Sequence, residues 1–380
     1  MLSNAILSAS LLLFATTAHA DVASDMVEWV KSKGGSFNDK LEIRRVDPSD
    51  KDSTWGVFAI DDIEPKEELM HIPPECYISI WDEAEHTDFP DQPLLAQRAY
   101  HRNMCNLSYT LKNEMELGTD SDFVPFLNFI KTEEKGQLPA NWSPEGKDLL
   151  RKIFSEGKDV VDWIDWNFKE KGCIDEDDDS DMERMVEITV HHSVNNALIP
   201  IWQAVNHNNA KLNTQNTAIY NLDGLRVRAA IDIKKGDEVY GSYDLCVDCF
   251  EASDYQGTPE ILKNFGVVEP YPQRYSFEDY GIWFEVWPRK DGGLGIIFDT
   301  DEDYNTIYGR EMRPYGVPDI GGIKFLEDIL ERLEGVEKEH LVKGQGNIPD
   351  KEWKLINQFH EASTKAMYMA IGGARVRRRL

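Results

Sequence analysis

Long apolar runs are nearly missing from this chain of 380 residues. The one that stands out lies in MLSNAILSASLLLFATTAHA, where Ile6 to Ala15 is mostly apolar. It is too short to span a bilayer. It ends in the small-x-small site Ala18-His19-Ala20, the pattern of a secretory signal with Asp21 as the mature N-terminus. Residues 1–20 are therefore expected to direct the chain into the secretory pathway, to the ER lumen or beyond. No later segment is apolar enough for a membrane span. Positive charge is also scarce, with 41 Lys and Arg against 69 Asp and Glu, a net charge of −28. That excludes sequence-independent nucleic-acid binding, which needs phosphates neutralised, and favours basic or lysine-bearing protein partners. Cysteine is sparse and odd in number: Cys76, Cys105, Cys173, Cys246 and Cys249. A dense disulfide framework is excluded, and one or two bridges remain open.

Metal sites fare no better. Cys246-x-x-Cys249 has no second pair nearby to complete a zinc site, so a disulfide or free thiols are expected there. The acidic runs Asp175–Asp181 and Asp299–Asp303 lack the Gly and Glu that a calcium loop requires. They read as solvated charge, and no metal is expected. No internal repeat stands out. Asn106-Leu-Ser and Asn141-Trp-Ser fit the N-glycosylation pattern, the first being the better candidate because Pro144 follows the second.

What is present is a globular composition, 41% apolar and 29% charged, long enough for a large core. Ser24 can cap a short helix that buries Met26, Val27 and Val30 and stops at Gly34-Gly35. Leu41–Val46, Trp55–Ile60 and Leu69–Ile72 alternate as three strands of a β meander over residues 41–80. From about 92 to 196 the pattern is helical. Leu198 to Asp244 combines an apolar run ending in Asn206-His207, strand-like alternation at Leu225, Val227 and Ala229, and a charged surface turn at Ile233–Glu238 before Tyr243. Polar groups carried on apolar segments must be paired or functional. Residues 275–300 read as β. Two amphipathic helices follow, one through Ile320, Ile323, Leu326, Ile329, Leu330 and Leu333. The other runs through Trp353, Ile356, Phe359, Ala366, Met367 and Ala370, and Arg375–Leu380 reads as a frayed basic tail.

The segments Trp55-Gly-Val-Phe-Ala, IEPKEELMHIP, LIPIWQAVNH, RVRAAIDIKKGDEVYGSYD and ILKNFGVVE occur in that order, with a helical insert between them. The order resembles the SET-domain protein methyltransferases of the split class, such as those acting on the Rubisco large subunit and on actin histidine. The resemblance covers roughly residues 24 to 270. It implies an α+β fold of small curved β-sheets with a helical insert and a short helical C-terminal region. The implied domains are a SET-like domain over 21–275, with its insert at about 92–196, and a reduced substrate-binding region over 276–380.

The resemblance also implies S-adenosylmethionine as cofactor and a protein side chain, lysine or histidine, as methyl acceptor. Trp55, Gly56 and Val57 would approach the cofactor through their backbone. Asn206 and His207 would hold its amino-acid part and adenine, Phe265 would pack near the adenine, and Tyr243 would be the active-site tyrosine. The chain departs from the family pattern in four places. Its first loop has one glycine, Gln203 stands where Asp is usual, no Arg lies around His191 to Val194, and Asp244 follows the tyrosine. A non-catalytic SET-like protein-binding module in the secretory pathway is therefore the alternative to a methyltransferase.

Overall fold

The computed structural model describes residues 22–378, except 51–52, 82–92, 134–137, 155–159, 170–171, 175–179, 195, 218–221, 244–256, 278–279 and 299–315. The N-terminal signal, Asp244, the Cys246–Cys249 pair and most of both acidic runs lie outside the described residues.

The first described element is a helix over 22–32, α1, which buries Ala23, Met26, Val27 and Val30 at helical spacing. It is already helical at Val22, so Ser24 lies inside it and is not its cap. It ends where Gly34 takes φ 90°, a conformation that costs glycine little. The strands that follow are β1 (Ser36–Phe37), β2 (Leu41–Arg45), β3 (Trp55–Ala59), β4 (Glu68–Ile72) and β5 (Ile78–Ser79). The expected strands are present, but they do not form one meander. β2 and β3 form a two-stranded sheet, Arg45 facing Trp55, whereas β4 joins a sheet of order β1-β4-β10-β9.

Later strands complete these small sheets. They are β6 (Ser193–Val194), β7 (Ala197–Leu198), β8 (Asn206–His207), β9 (Thr214–Asn216), β10 (Leu225–Ala229) and β11 (Tyr240–Gly241). β10 takes β4 as an antiparallel partner, with Leu225 opposite Ile72 and Val227 opposite Met70. All four are fully buried, so the alternation in each strand fixes the register. The two charged turns, one after β3 and one after β10, also meet. Ile63 and Ile233 exchange backbone hydrogen bonds of 2.9 and 3.1 Å. Lys66 and Gly236 occupy the same left-handed corner of their turns, at φ 73° and 92°. A paired structural repeat is thus present, with Asp62-Ile63 and Asp232-Ile233 in matching places.

Around these sheets lie α2 (Pro93–Leu117), α3 (Val124–Ile130) and α5 (Ser180–His192). α2 packs against α5, and a disulfide joins Cys105 of α2 to Cys173. Cys76 is a buried free thiol whose pKa burial pushes up to about 12. The Asn106 sequon sits within α2, and its Ser108 is fully buried and donates to the Met104 carbonyl. An acceptor site needs an exposed loop, so the folded chain does not offer this one. All of these elements belong to one compact unit, the described residues of Met1–Lys135 and Gly172–Ala252.

A second unit comprises Gly136–Lys171 and Ser253–Leu380, so the expected helical insert contributes to both. Its core is a three-stranded antiparallel sheet of β12 (Gln273–Phe277), β13 (Ile282–Pro288) and β14 (Leu294–Phe298). Packed with it are α4 (Pro144–Ile153), α6 (Thr258–Phe265), α7 (Ile320–Val336) and α8 (Asp350–Arg377). The amphipathic reading of the last two holds: Leu326, Ile329 and Leu333 of α7 and Ile356, Phe359, Ala366, Met367 and Ala370 of α8 are buried. The described part of the basic tail, Arg375 to Arg378, is tied down by contacts. α8 continues to Arg377, Arg375 bonds Glu327, and the Arg378 Nε donates to the Pro318 carbonyl at 2.7 Å.

Two glycines separate backbone strain from steric exclusion. Gly224, before β10, has φ 83°, and a Cβ there would lie 2.2 Å from the Ile72 carbonyl oxygen. Gly236 has φ 92° and nothing within 4 Å of a Cβ. Gly236→Ala should lose about 1–2 kcal/mol of unfolding free energy, the cost of the left-handed conformation alone. Gly224→Ala should lose clearly more, above about 3 kcal/mol, because backbone must also move. Urea unfolding of the two variants measures the difference, and equal losses would contradict this account.

Candidate active site

The apolar segment from β7 reaches β8 through a tight, strained turn. Ile201 has φ 65° and ψ −49°, and the Trp202 N–H donates to the Pro200 carbonyl at 2.7 Å. A β-branched residue in this region costs about 1–3 kcal/mol and persists only where its surroundings impose it. Trp202–Ala204 then form one 3-10 turn. The Trp202 indole lies close over Gly241, where a Cβ would meet it at 3.2 Å. Gln203, 9% exposed, has neither carboxamide atom hydrogen-bonded. Burying an unpaired amide costs roughly 1–3 kcal/mol.

β8 pairs in parallel with β11, Asn206 beside Tyr240 and His207 beside Gly241. Parallel pairing of two short strands, with no α-helix among the described residues between them, places the Asn206-His207 segment next to the segment that delivers Tyr243. The pair is locked by side chains from Asn213–Thr214. The Asn213 Nδ2 donates to the Glu238 carbonyl at 2.9 Å, its Oδ1 accepts from the Tyr240 N–H at 2.8 Å, and the Thr214 hydroxyl donates to the Tyr240 carbonyl at 2.8 Å.

Glu238 is the hub of the site. Its Oε1 accepts from Asn206 Nδ2 at 2.7 Å and its Oε2 accepts from the Tyr240 hydroxyl at 2.7 Å. The second Asn206 Nδ2 bond goes to the Trp55 carbonyl at 2.8 Å. Both donor hydrogens of Asn206 are thus committed inside the protein, and its Oδ1 is the atom that can still accept. The three expected loop residues converge here. Trp55 supplies that carbonyl, and its Nε1 donates to Thr132 Oγ1 at 2.9 Å. Val57 O accepts from the Val239 N–H at 2.8 Å. Gly56 leaves room for the carboxylate, since a Cβ there would lie 2.7 Å from Glu238 Oε1. Burial, and the Glu238 carboxylate next, push the Tyr240 phenol up.

Tyr243 is held at both ends. Its N–H donates to His207 Nδ1 at 3.0 Å, its ring stacks on the His207 imidazole at 5.2 Å, and its hydroxyl donates to the Val205 carbonyl at 3.1 Å. Accepting at Nδ1 places the His207 hydrogen on Nε2. Burial raises the Tyr243 phenol pKa, and the nearby carboxylates of Glu133 and Glu238 raise it further. It is therefore a neutral hydroxyl at physiological pH. Glu133 is itself bonded to His192 at the end of α5, and His192 stacks on His191 at 4.3 Å. His191-His192 fills the place where the resemblance leads one to expect Arg.

Phe265 is the last residue of α6, in the second unit, directly before Gly266 at φ 64°. Sequence reasoning missed Glu238, assigned to a solvated turn, and Glu133. The turn does expose Lys234 to Asp237, but Glu238 begins the period-2 alternation that continues at Tyr240, and both side chains are half-buried. That alternation was the available signal. Glu133 follows an apolar run and carries none.

The SET domain family model matches residues 54–244. Solved structures match over nearly the whole chain. One is the SET domain of LSMT bound to lysine and AdoHcy, at 12% identity and TM-score 0.52, covering 94% of this chain and 92% of that one. Another is Rubisco LSMT bound to sinefungin and monomethyllysine, with the same identity, coverage and TM-score. A third is the LSMT SET domain bound to methyl-lysine and AdoHcy, at 13% identity and TM-score 0.51, covering 93% and 91%. Comparison with curated proteins gives no match.

Two measurements probe this arrangement. Glu238→Leu removes one hydrogen-bond partner each from the Asn206 amide and the Tyr240 hydroxyl, and should lose about 2–3 kcal/mol in urea unfolding. Lys234→Ala, which breaks an exposed pair with Asp62, should stay within about 0.5 kcal/mol of the parent. The second concerns acid. Burial, and then His192 and Arg184, hold the His191 pKa well below its ordinary value. The unfolded chain takes that proton near pH 6.5 and the folded chain does not. Stability is unaffected above pH 7 and falls below pH 6.5, by up to about 1.4 kcal/mol per pH unit. His191→Phe should flatten the profile between pH 7 and 5, and a profile parallel to the parent's would exclude His191 as its source.

Proposed function

The chain belongs to the SET-domain family, and on that premise we propose that it is an S-adenosylmethionine-dependent methyltransferase acting on a side-chain nitrogen of a protein. The observation that carries this is the acceptor cluster of Glu238, Asn206 Oδ1 and the Trp55 carbonyl, set beside a half-buried neutral Tyr243. The donor set fits the cofactor: its ammonium and sulfonium groups are cationic, and the cluster is made of acceptors and one carboxylate.

S-adenosylmethionine supplies a methyl group on a cationic sulfur, which a nitrogen lone pair displaces in line. The chain's own contribution is positioning and exclusion of water. Alignment of this kind is worth roughly 7–11 kcal/mol at best. Asn206, with its donors fixed by Trp55 and Glu238, presents Oδ1 in one orientation. Tyr243, kept protonated and aimed along the Val205 carbonyl, offers its oxygen lone pairs to electron-poor C–H groups. Holding a lysine neutral at pH 7 costs about 4–5 kcal/mol in water, and burial of the acceptor nitrogen meets part of that. The lysine and methyl-lysine bound in the matched structures support lysine as the acceptor, and the net charge of −28 supports a basic substrate segment.

A non-catalytic protein-binding module is the second reading. It is favoured by the internal commitment of both Asn206 donors, which gives the site a structural role without any ligand. Titration calorimetry with S-adenosylhomocysteine separates the two. Binding in the micromolar range supports the enzyme, and no heat at millimolar ligand leaves only the module. Given binding, Tyr243→Phe should lower transfer of labelled methyl to lysine-bearing peptides roughly 10²-fold with cofactor affinity changed less than about twofold. A large loss of affinity would contradict the role assigned to the hydroxyl.

A further inference from the structure

Gln203 is the buried polar side chain beside the site that the arrangement above leaves unexplained. Its exposure is 9%, and neither Nε2 nor Oε1 has a hydrogen-bond partner. Native chains rarely bury a carboxamide with both ends unmet. It stands two residues after Ile201, whose φ of 65° is the other unfavourable feature of the same turn. Such features gather where a ligand is clamped. Both lie within five residues of Asn206, and the turn is pinned by the Trp202 indole over Gly241 and by the Gln203 N–H donating to the Ile199 carbonyl at 3.3 Å.

We propose that the Gln203 carboxamide binds the nitrogen-bearing side chain that receives the methyl group, its Oε1 accepting one N–H of that nitrogen. The placement follows from Tyr243, whose hydroxyl is tied to the Val205 carbonyl. Val205 is two residues from Gln203, at most about 7 Å of chain, so the residue that anchors the phenol and the one that carries the carboxamide stand on the same short segment before β8. The chemistry follows from charge. The reaction needs a neutral nitrogen, and Glu133 and Glu238 already lie near Tyr243, with Glu133 bonded to His192. A third carboxylate would hold an amine as ammonium. A carboxamide accepts the N–H without that effect and leaves the lone pair free. This inference rests on the methyltransferase reading.

The test uses the full chain with S-adenosylhomocysteine, and Nα-acetyl-lysine methylamide and Nα-acetyl-histidine methylamide as probes, read by calorimetry and saturation-transfer NMR. Gln203→Leu removes an unmet polar group, so the ligand-free variant should melt about 2–4 °C higher. It should keep S-adenosylhomocysteine affinity within about twofold and lose at least about tenfold in affinity for the probe that the parent binds. Gln203→Glu should shift the pH dependence of lysine-probe binding toward the charged amine, because Glu133, Glu238 and His192 are the same in every variant. Gln203→Met, nearly isosteric, repeats the Leu test if that variant packs poorly. Equal probe affinity in parent and Leu variant overturns the inference and leaves the methyltransferase reading standing. Loss of S-adenosylhomocysteine affinity alone overturns it too, assigning Gln203 to the cofactor. No S-adenosylhomocysteine binding by the parent overturns both, and is distinguished because it precedes any probe.

Discussion

The Glu238 carboxylate joins the Asn206 amide to the Tyr240 hydroxyl across two strands of two residues each. Strands that short do not hold a register by their backbone alone. The carboxylate supplies what they lack, because charge-assisted hydrogen bonds in a half-buried setting are directional and strong. Other features of the site follow from making room for it. Gly56 must have no side chain, since Glu238 Oε1 occupies that space. Asn206 must spend both donors inside the protein, and is left as an acceptor. The turn before Glu238 must bring it inward immediately after four exposed residues, which the left-handed Gly236 permits.

Against that satisfied cluster, the turn from Pro200 to Gln203 is unsatisfied. Strain at Ile201 and the unmet carboxamide of Gln203 both weaken the ligand-free fold, and they sit two residues apart in one short segment. The surrounding core, with Ile199, Ile201, Ala204 and Val205 all buried, is what holds the turn in place. A fold that needed only stability would place an apolar residue at 203. The pattern is therefore that of a segment shaped for something it contacts, carried by a core that offsets its cost.

Much of the local structure was legible in the residues. Alternation found β2, β3, β4 and β10. Helical spacing found the buried faces of α7 and α8, and the order of weak motifs brought Asn206, His207 and Tyr243 to one place. What failed was pairing and context. Nothing in Glu68–Ile72 states that it pairs with Leu225–Ala229 and not with the strand before it, because its buried Leu69, Met70 and Ile72 would suit either neighbour. Glu238 was hidden by company: three charged residues and a glycine precede it, and composition cannot tell the last residue of a turn from the first of a strand. The basic tail misled for a related reason. Arg375 and Arg378 read as frayed until Glu327 and the Pro318 carbonyl are brought beside them by packing.

The carboxylates near Tyr243 set two demands that conflict. Glu238 and Glu133 favour positive charge nearby, and a cationic methyl donor benefits from that. The acceptor nitrogen must reach the same place without its proton, and the same field favours keeping it. The two demands are reconciled if the carboxylates are spent on fixed partners, Glu238 on Asn206 and Tyr240, Glu133 on His192, so that each acts on the site through a hydrogen bond already made. On the proposed reading, what then faces the nitrogen directly is neutral: a phenol kept protonated by burial and a carboxamide. On the same reading, position 203 is where one more carboxylate would tip the balance toward the ammonium, and a glutamine there would keep the acceptor end of the site uncharged while the donor end stays negative.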